Sequence, residues 1–130
     1  EWQDTLLEFY KKKGYVELLF GHRRSGYLTR NEAINTPIQG GGFHCLLWSL
    51  IQLNKIAKEE KWKSKIVGQI HDSIIFDMYP KELNMVCETA KQVMTLDIRK
   101  EFPFIIVPLD VEIEATPIDG SWYEKKEIKI

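Results

Sequence analysis

The chain has 130 residues, 44% of them apolar and 28% charged, with a formal net charge of −1 and two cysteines. That length can bury roughly 70% of the surface an unfolded chain exposes, so neither disulfide nor structural metal is needed, and the composition excludes disordered, collagen-like and disulfide-scaffold classes. The charge is uneven along the chain: residues 1 to 65 carry eleven Lys and Arg against seven Asp and Glu, and residues 66 to 130 carry seven against twelve. This suggests one face that meets polyanions and another region that gathers carboxylates.

Glu1 to Lys13 spaces Trp2, Leu6, Phe9 and Tyr10 as on a helix and ends at Gly14, a glycine stop. The Asp4 and Glu8 charges there leave no apolar core for a signal peptide. Tyr15 to Phe20 reads as a strand that returns at Tyr27 and Leu28, a hairpin over residues 15–28 tipped by His22, Arg23 and Arg24. Thr36-Pro37-Ile38-Gln39 has the form of a capping box, which predicts a helix over 36–58. It is apolar on nearly every side between Phe43 and Leu53, as a buried central helix would be. Gly40, Gly41 and Gly42 weaken its first turns by roughly 1 kcal/mol each, so a packed element or a ligand must come close there. The longest apolar stretch, Cys45 to Ile51, is too short to cross a bilayer, which points to an intracellular, cytoplasmic chain with buried, reduced cysteines.

Strands over Lys65–Ile70 and Ile74–Tyr79 are rich in β-branched residues and joined at His71-Asp72-Ser73. Pro80 opens a helix over 80–99 with the apolar stripe Leu83, Val86, Cys87, Ala90, Val93, Met94 and Ile98. Leu109, Val111, Ile113 and Ala115 alternate with Asp110, Glu112 and Glu114, a half-buried strand around 108–116. No repeat or linker divides the chain, which reads as one domain over 1–130. The fold class is α+β: an antiparallel sheet, made of the 65–79 hairpin and the 108–116 strand, packed on a long central helix and an amphipathic helix.

Phosphate loops, GxSxG elbows, HExxH and CxxC are absent. The hairpin tip remains: Asp72, between two apolar strands, is either ordinary turn chemistry or a rigidly presented carboxylate. A small hydrolase built on His44, His71 and Asp72 would need three metal ligands that no spacing brings together.

Ala33-Ile34-Asn35-Thr36-Pro37-Ile38-Gln39-Gly40, followed by Gln69-Ile70-His71-Asp72-Ser73, closely resembles the C-terminal palm of family A DNA polymerases, the class of bacterial DNA polymerase I and phage replicases. Gly14-Tyr15-Val16-Glu17 and Leu19-Phe20-Gly21-His22-Arg23-Arg24 are similar to that family's strand and arginine-rich hairpin. Cys45-Leu46-Leu47-Trp48 resembles the helix continuation of phage members, and Gly120-Ser121-Trp122-Tyr123 the near-terminal tryptophan segment. Together these span nearly the whole chain in the family's order.

The resemblance implies that Asp72 is one of two aspartates holding a pair of Mg2+ ions, and that His71 touches the primer's terminal nucleotide. It implies that Asn35 and Gln39 donate hydrogen bonds to the minor groove, where acceptors recur in every correct base pair; a Gln39 folded back as a cap could not do so. Arg23, Arg24 and Arg30, with Lys11 to Lys13, would be phosphate contacts or solvated charges. Asn31 and Ser73 depart from the family's usual arginine and glutamate, and the second metal aspartate and the nucleotide-binding helix match nothing in this sequence. The implied function is therefore the palm part of a template-directed DNA polymerase, inactive alone. Its implied partners are primer-template DNA, deoxynucleoside triphosphates and an N-terminal polymerase part; the alternative is a non-catalytic nucleic-acid-binding module of the same ancestry.

Overall fold

The computed structural model describes residues 1–130. The backbone forms two compact units, Glu1–Cys45 and Leu46–Ile130. No helix is long and apolar enough to cross a membrane.

In the first unit, helix α1 (Trp2–Lys13) stops at Gly14, whose φ of 77° is left-handed and whose N–H bonds the Tyr10 carbonyl. This is the glycine stop expected from the sequence. Strands β1 (Tyr15–Glu17) and β2 (Arg23–Ser25) pair antiparallel, with Tyr15 opposite Ser25 and Glu17 opposite Arg23. The hairpin is thus shorter than 15–28 and tipped by Leu18 to His22, so Arg23 and Arg24 belong to the returning strand. Gly21 moves the turn: at φ 84° it donates to the Leu18 carbonyl, while the Leu18 N–H reaches the His22 carbonyl. Beyond β2 the Tyr10 hydroxyl donates to the Gly26 carbonyl and accepts from the Leu28 N–H, at 2.7 and 2.8 Å, leaving Tyr27 between them fully exposed. Val16, Leu18, Ala33 and Ile34 form the core.

Helix α2 (Arg30–Glu59) starts six residues before Thr36. The N-terminal box is Thr29 with Glu32: the Glu32 N–H donates to the Thr29 hydroxyl at 3.3 Å, and the Thr29 N–H to the Glu32 carboxylate at 2.8 Å. Pro37 therefore lies inside the helix, where it lacks the N–H that would reach the Ala33 carbonyl. The apolar run of α2 is not wholly buried. Leu46, Ser49 and Leu53 are buried in the second unit, but Leu47 and Ile51 there, and Phe43 in the first, remain 37%, 55% and 47% exposed.

The glycine triplet also divides. A Cβ on Gly40 would overlap the buried Leu18 side chain, whereas Gly41 and Gly42 have nothing within 4 Å. Gly42→Ala is accordingly expected to stabilise the protein by up to about 1 kcal/mol through helix propensity. Gly40→Ala should destabilise it by about 1 to 2 kcal/mol, because overpacking against Leu18 outweighs the same gain. Urea denaturation of the two variants reads the difference.

The second unit holds strands β3 (Lys65–Ile70) and β4 (Ser73–Asp77), paired antiparallel from Lys65 opposite Asp77 to Ile70 opposite Ser73, with a bulge between Ile66 and Gly68. A 3-10 turn (Pro80–Glu82), helix α3 (Leu83–Gln92), a π-helical turn (Val93–Asp97) and helix α4 (Ile98–Glu101) follow. They deliver Val86, Cys87, Val93 and Ile98 to the core, and burial raises the Cys87 thiol pKa. The Trp48 ring of α2 meets Phe102 edge-on at 5.8 Å.

The strand expected around 108–116 is only partly one. Leu109, Val111 and Ile113 are more buried than Asp110 and Glu112, as the alternation requires, but β5 is confined to Glu114–Ala115, paired with β6 (Lys126–Glu127). Alternation specifies which side chains face inward; it does not supply a neighbour for the ladder. The α+β class holds, with three two-stranded sheets in place of one.

Candidate functional site

The β3–β4 tip is a two-residue turn, His71-Asp72. His71 has φ 51°. A left-handed backbone in a non-glycine residue costs about 1 to 3 kcal/mol and concentrates where function demands a fixed geometry. Gln69 supports it: its side-chain amide donates to the His71 carbonyl at 2.9 Å. Asp72 is exposed and in no ion pair; its nearest polar partner is the Ser73 hydroxyl at 3.5 Å. The tip thus presents an imidazole and an uncommitted carboxylate on a braced turn.

Other carboxylates of this unit are occupied elsewhere. Glu114 pairs with Lys125, Asp110 accepts from the Val111 N–H, and Asp77 lies opposite Lys65. No three His, Cys, Asp or Glu side chains gather into a cluster that could hold a metal ion by themselves. The hairpin is anchored at its open end by Glu82, whose carboxylate accepts from the N–H groups of Lys63 and Ser64 and from the Ser64 hydroxyl. Those two backbone bonds hold the Glu82 carboxyl below its usual pKa.

In the first unit, Asn35 and Gln39 are both exposed and four residues apart within α2, so they share a face. Because the cap lies at Thr29, the Gln39 amide is free of the capping role that competed with an outward one. Gly42, three residues further and exposed, leaves the same face bare of side chain.

The cations differ in their engagements. Arg23 donates to Glu17 at 3.1 Å and lies 4.7 Å over the Tyr15 ring. Arg24 reaches the Thr36 hydroxyl at 3.0 Å and Glu32 at 3.4 Å. The Thr29 N–H and hydroxyl, aided by Arg24, lower the Glu32 pKa. Arg30, first in the helix, is exposed and in no ion pair. Exposed pairs like those of Arg23 and Arg24 contribute at most about 1 kcal/mol, so a polyanion can take over either guanidinium at little cost.

Asn35, Gln39, Arg23, Arg24 and Arg30 therefore belong to one unit, and His71 and Asp72 to the other. Sequence reasoning missed Gln69, Glu32 and the Ser64–Glu82 anchor. A signal existed for Glu32, since Thr29-x-x-Glu32 is itself a capping-box pattern; Gln69 acts through a backbone angle that no spacing reveals.

The family model for DNA polymerase family A matches residues 1–124. The DNA polymerase I of Chloroflexus aurantiacus is 30% identical over 131 residues, covering 93% of this chain and 13% of that protein. Those of Geobacillus stearothermophilus and Lactococcus lactis subsp. cremoris are 29% and 31% identical, covering 97% and 96% of this chain and 15% of each relative. The chain thus spans about one seventh of the length of these curated relatives. Among solved structures, the polymerase domain of Pol1 from M. smegmatis, in complex with DNA primer-template and dNTP, superposes with a TM-score of 0.70 at 22% identity, over 84% of this chain and 20% of that one. The likeness extends to the fold, and a family match over nearly the full length supplies the lineage: this chain belongs to DNA polymerase family A.

Proposed function

We propose that the chain is the C-terminal palm segment of a phage-type, template-directed DNA polymerase, acting in the cytoplasm and completed by an N-terminal polymerase part. The observation that carries this reading is the braced tip of the β3–β4 hairpin, where Asp72 stands exposed, unpaired and fixed beside His71.

Asp72 fits a divalent-cation role by its chemistry: a carboxylate engaged by no cation offers the hard oxygens that Mg2+ prefers. It would hold the metal together with a second carboxylate supplied by the N-terminal part. A bound Mg2+ pair would lower the pKa of the primer 3′-hydroxyl and neutralise charge on the leaving pyrophosphate. His71 orients the primer's terminal nucleotide, and the Gln69 bond keeps that imidazole in place. Asn35 and Gln39 donate to minor-groove acceptors that every correct pair presents, which tests shape without reading sequence. Gly42 on the same face lets the groove approach the backbone closely. Arg23, Arg24 and Arg30 neutralise phosphates. The exposed Phe43, Leu47 and Ile51 are apolar surface for the remainder of the polymerase to cover.

Primer extension by the chain alone and by the chain mixed with the N-terminal part of a family A polymerase tests the reading. Synthesis is expected only in the mixture, with Mg2+ present. Extension by the isolated chain would overturn the shared-site assignment. DNA binding that ignores the N-terminal part, with no synthesis restored, would identify a non-catalytic binding module instead.

A further inference from the structure

Two histidines outside the hairpin tip converge in the first unit. His22 is exposed in the turn between β1 and β2, and His44 is half-buried on α2; their ring centroids lie 5.4 Å apart at an interplanar angle of 41°. His44 is held on several sides. Phe20 stacks on it at 5.4 Å and 19°, and Phe43 meets it edge-on at 5.7 Å and 89°. Its Nδ1 lies 2.7 Å from the Gly40 carbonyl oxygen. A carbonyl only accepts, so Nδ1 carries the hydrogen, and in the neutral ring Nε2 holds the available lone pair.

An imidazole oriented through Nδ1–H onto a backbone carbonyl is the arrangement that metal-ligating histidines adopt, because it fixes both tautomer and ring direction. The separation also fits. With metal–nitrogen bonds of about 2.0 to 2.1 Å, two imidazoles at a tetrahedral angle place their ring centres about 5.2 Å apart, against the 5.4 Å found here. The nearest strand carboxylate, Glu17, is occupied by Arg23.

We propose that His22 and His44 form a two-imidazole site for a transition-metal cation of the Zn2+ class, with solvent completing the coordination. Nitrogen ligands select Zn2+, Ni2+ or Cu2+ over Mg2+, so the site is chemically separate from the Asp72 carboxylate and does not depend on the polymerase reading. Two protein ligands give micromolar rather than structural-zinc affinity. Occupancy would tie the β1–β2 turn to α2 five residues beyond Gln39, stiffening the segment that carries the Asn35–Gln39 face.

Calorimetric titration of Zn2+ into the full chain, in excess Mg2+, should show one equivalent bound. His22→Ala, at an exposed turn position that leaves the fold intact, should weaken binding by at least about tenfold, while His71→Ala leaves it unchanged. Nitrogen-15 NMR of the wild-type chain should show the metal-induced shift at His44 Nε2, with Nδ1 still protonated; this readout avoids replacing His44, which packs among aromatic rings. Absence of Zn2+ binding, equal binding by His22→Ala, loss on His71→Ala, or a shift at Nδ1 would each overturn the assignment.

Discussion

Asp72→Ala, in the chain combined with an N-terminal family A polymerase part, is expected to reduce primer extension by on the order of 10^3. A metal ligand of this kind contributes several kcal/mol of transition-state charge stabilisation, and about 4 kcal/mol corresponds to about three powers of ten in rate. The effect should fall on the chemical step. Asp72 is exposed and bonded only to Ser73 at 3.5 Å, so its removal leaves the hairpin ladder and the core unchanged. DNA affinity and melting temperature are therefore expected to match the parent chain. Asp72→Asn, which keeps the shape and removes the charge, should fall nearly as far as alanine. Gln69→Ala should lose less than either, since it frees the His71 carbonyl and loosens the tip without removing a ligand. Single-turnover rates with a matched primer-template decide the matter. An Asp72→Ala mixture that extends the primer within a few-fold of the parent rate would sink the metal-ligand role.

The hairpin that carries Asp72 was legible because its signals are local: two β-branched runs bounded by turn residues specify the strands and their register together. The start of α2 was not. Thr36-Pro37 imitates a helix entrance, and the pattern at Thr29-x-x-Glu32 is equivalent on paper. Packing decides between them, since Ala33 and Ile34 become core residues only if the helix is already formed there. The exposed Phe43, Leu47 and Ile51 show the converse limit. Apolarity all round a helix indicates that every face is covered in use, and this chain alone covers only part of it. The 108–116 segment follows the same logic, keeping the alternation of a strand with no neighbour beyond Glu114–Ala115. For the site, residue types at the tip and on the Asn35–Gln39 face were readable, whereas the strained His71 backbone and its Gln69 brace depend on angles that only three dimensions display.

Ser64→Ala is expected to lower the unfolding free energy by about 1 to 3 kcal/mol, the largest loss for any single polar deletion described above. Ser64 is only 3% exposed. Its hydroxyl accepts from the Tyr79 N–H at 3.0 Å and has one hydrogen to give, for which the Glu82 carboxylate at 2.7 Å outcompetes the Met78 sulfur at 3.3 Å. Alanine leaves the Tyr79 N–H without that acceptor and removes one of the donors that stabilise the Glu82 charge. A cysteine at this position restores shape with a weak donor and should recover only part of the loss. The effect carries a pH signature. The native-state bonds to Lys63 and Ser64 hold the Glu82 carboxyl below its unfolded pKa. Its contribution is therefore fully present above the unfolded carboxylate range and is lost as pH falls through the lower folded value. The gap in stability between the parent chain and Ser64→Ala should accordingly narrow on acidification, and Glu82→Gln should flatten the same part of the parent's profile. Urea denaturation at neutral pH and at successively lower pH measures both trends. A gap that stays constant down to full carboxylate protonation would mean that Ser64 acts through packing at Tyr79 alone, leaving the anchor at the open end of the Asp72 hairpin without its electrostatic component.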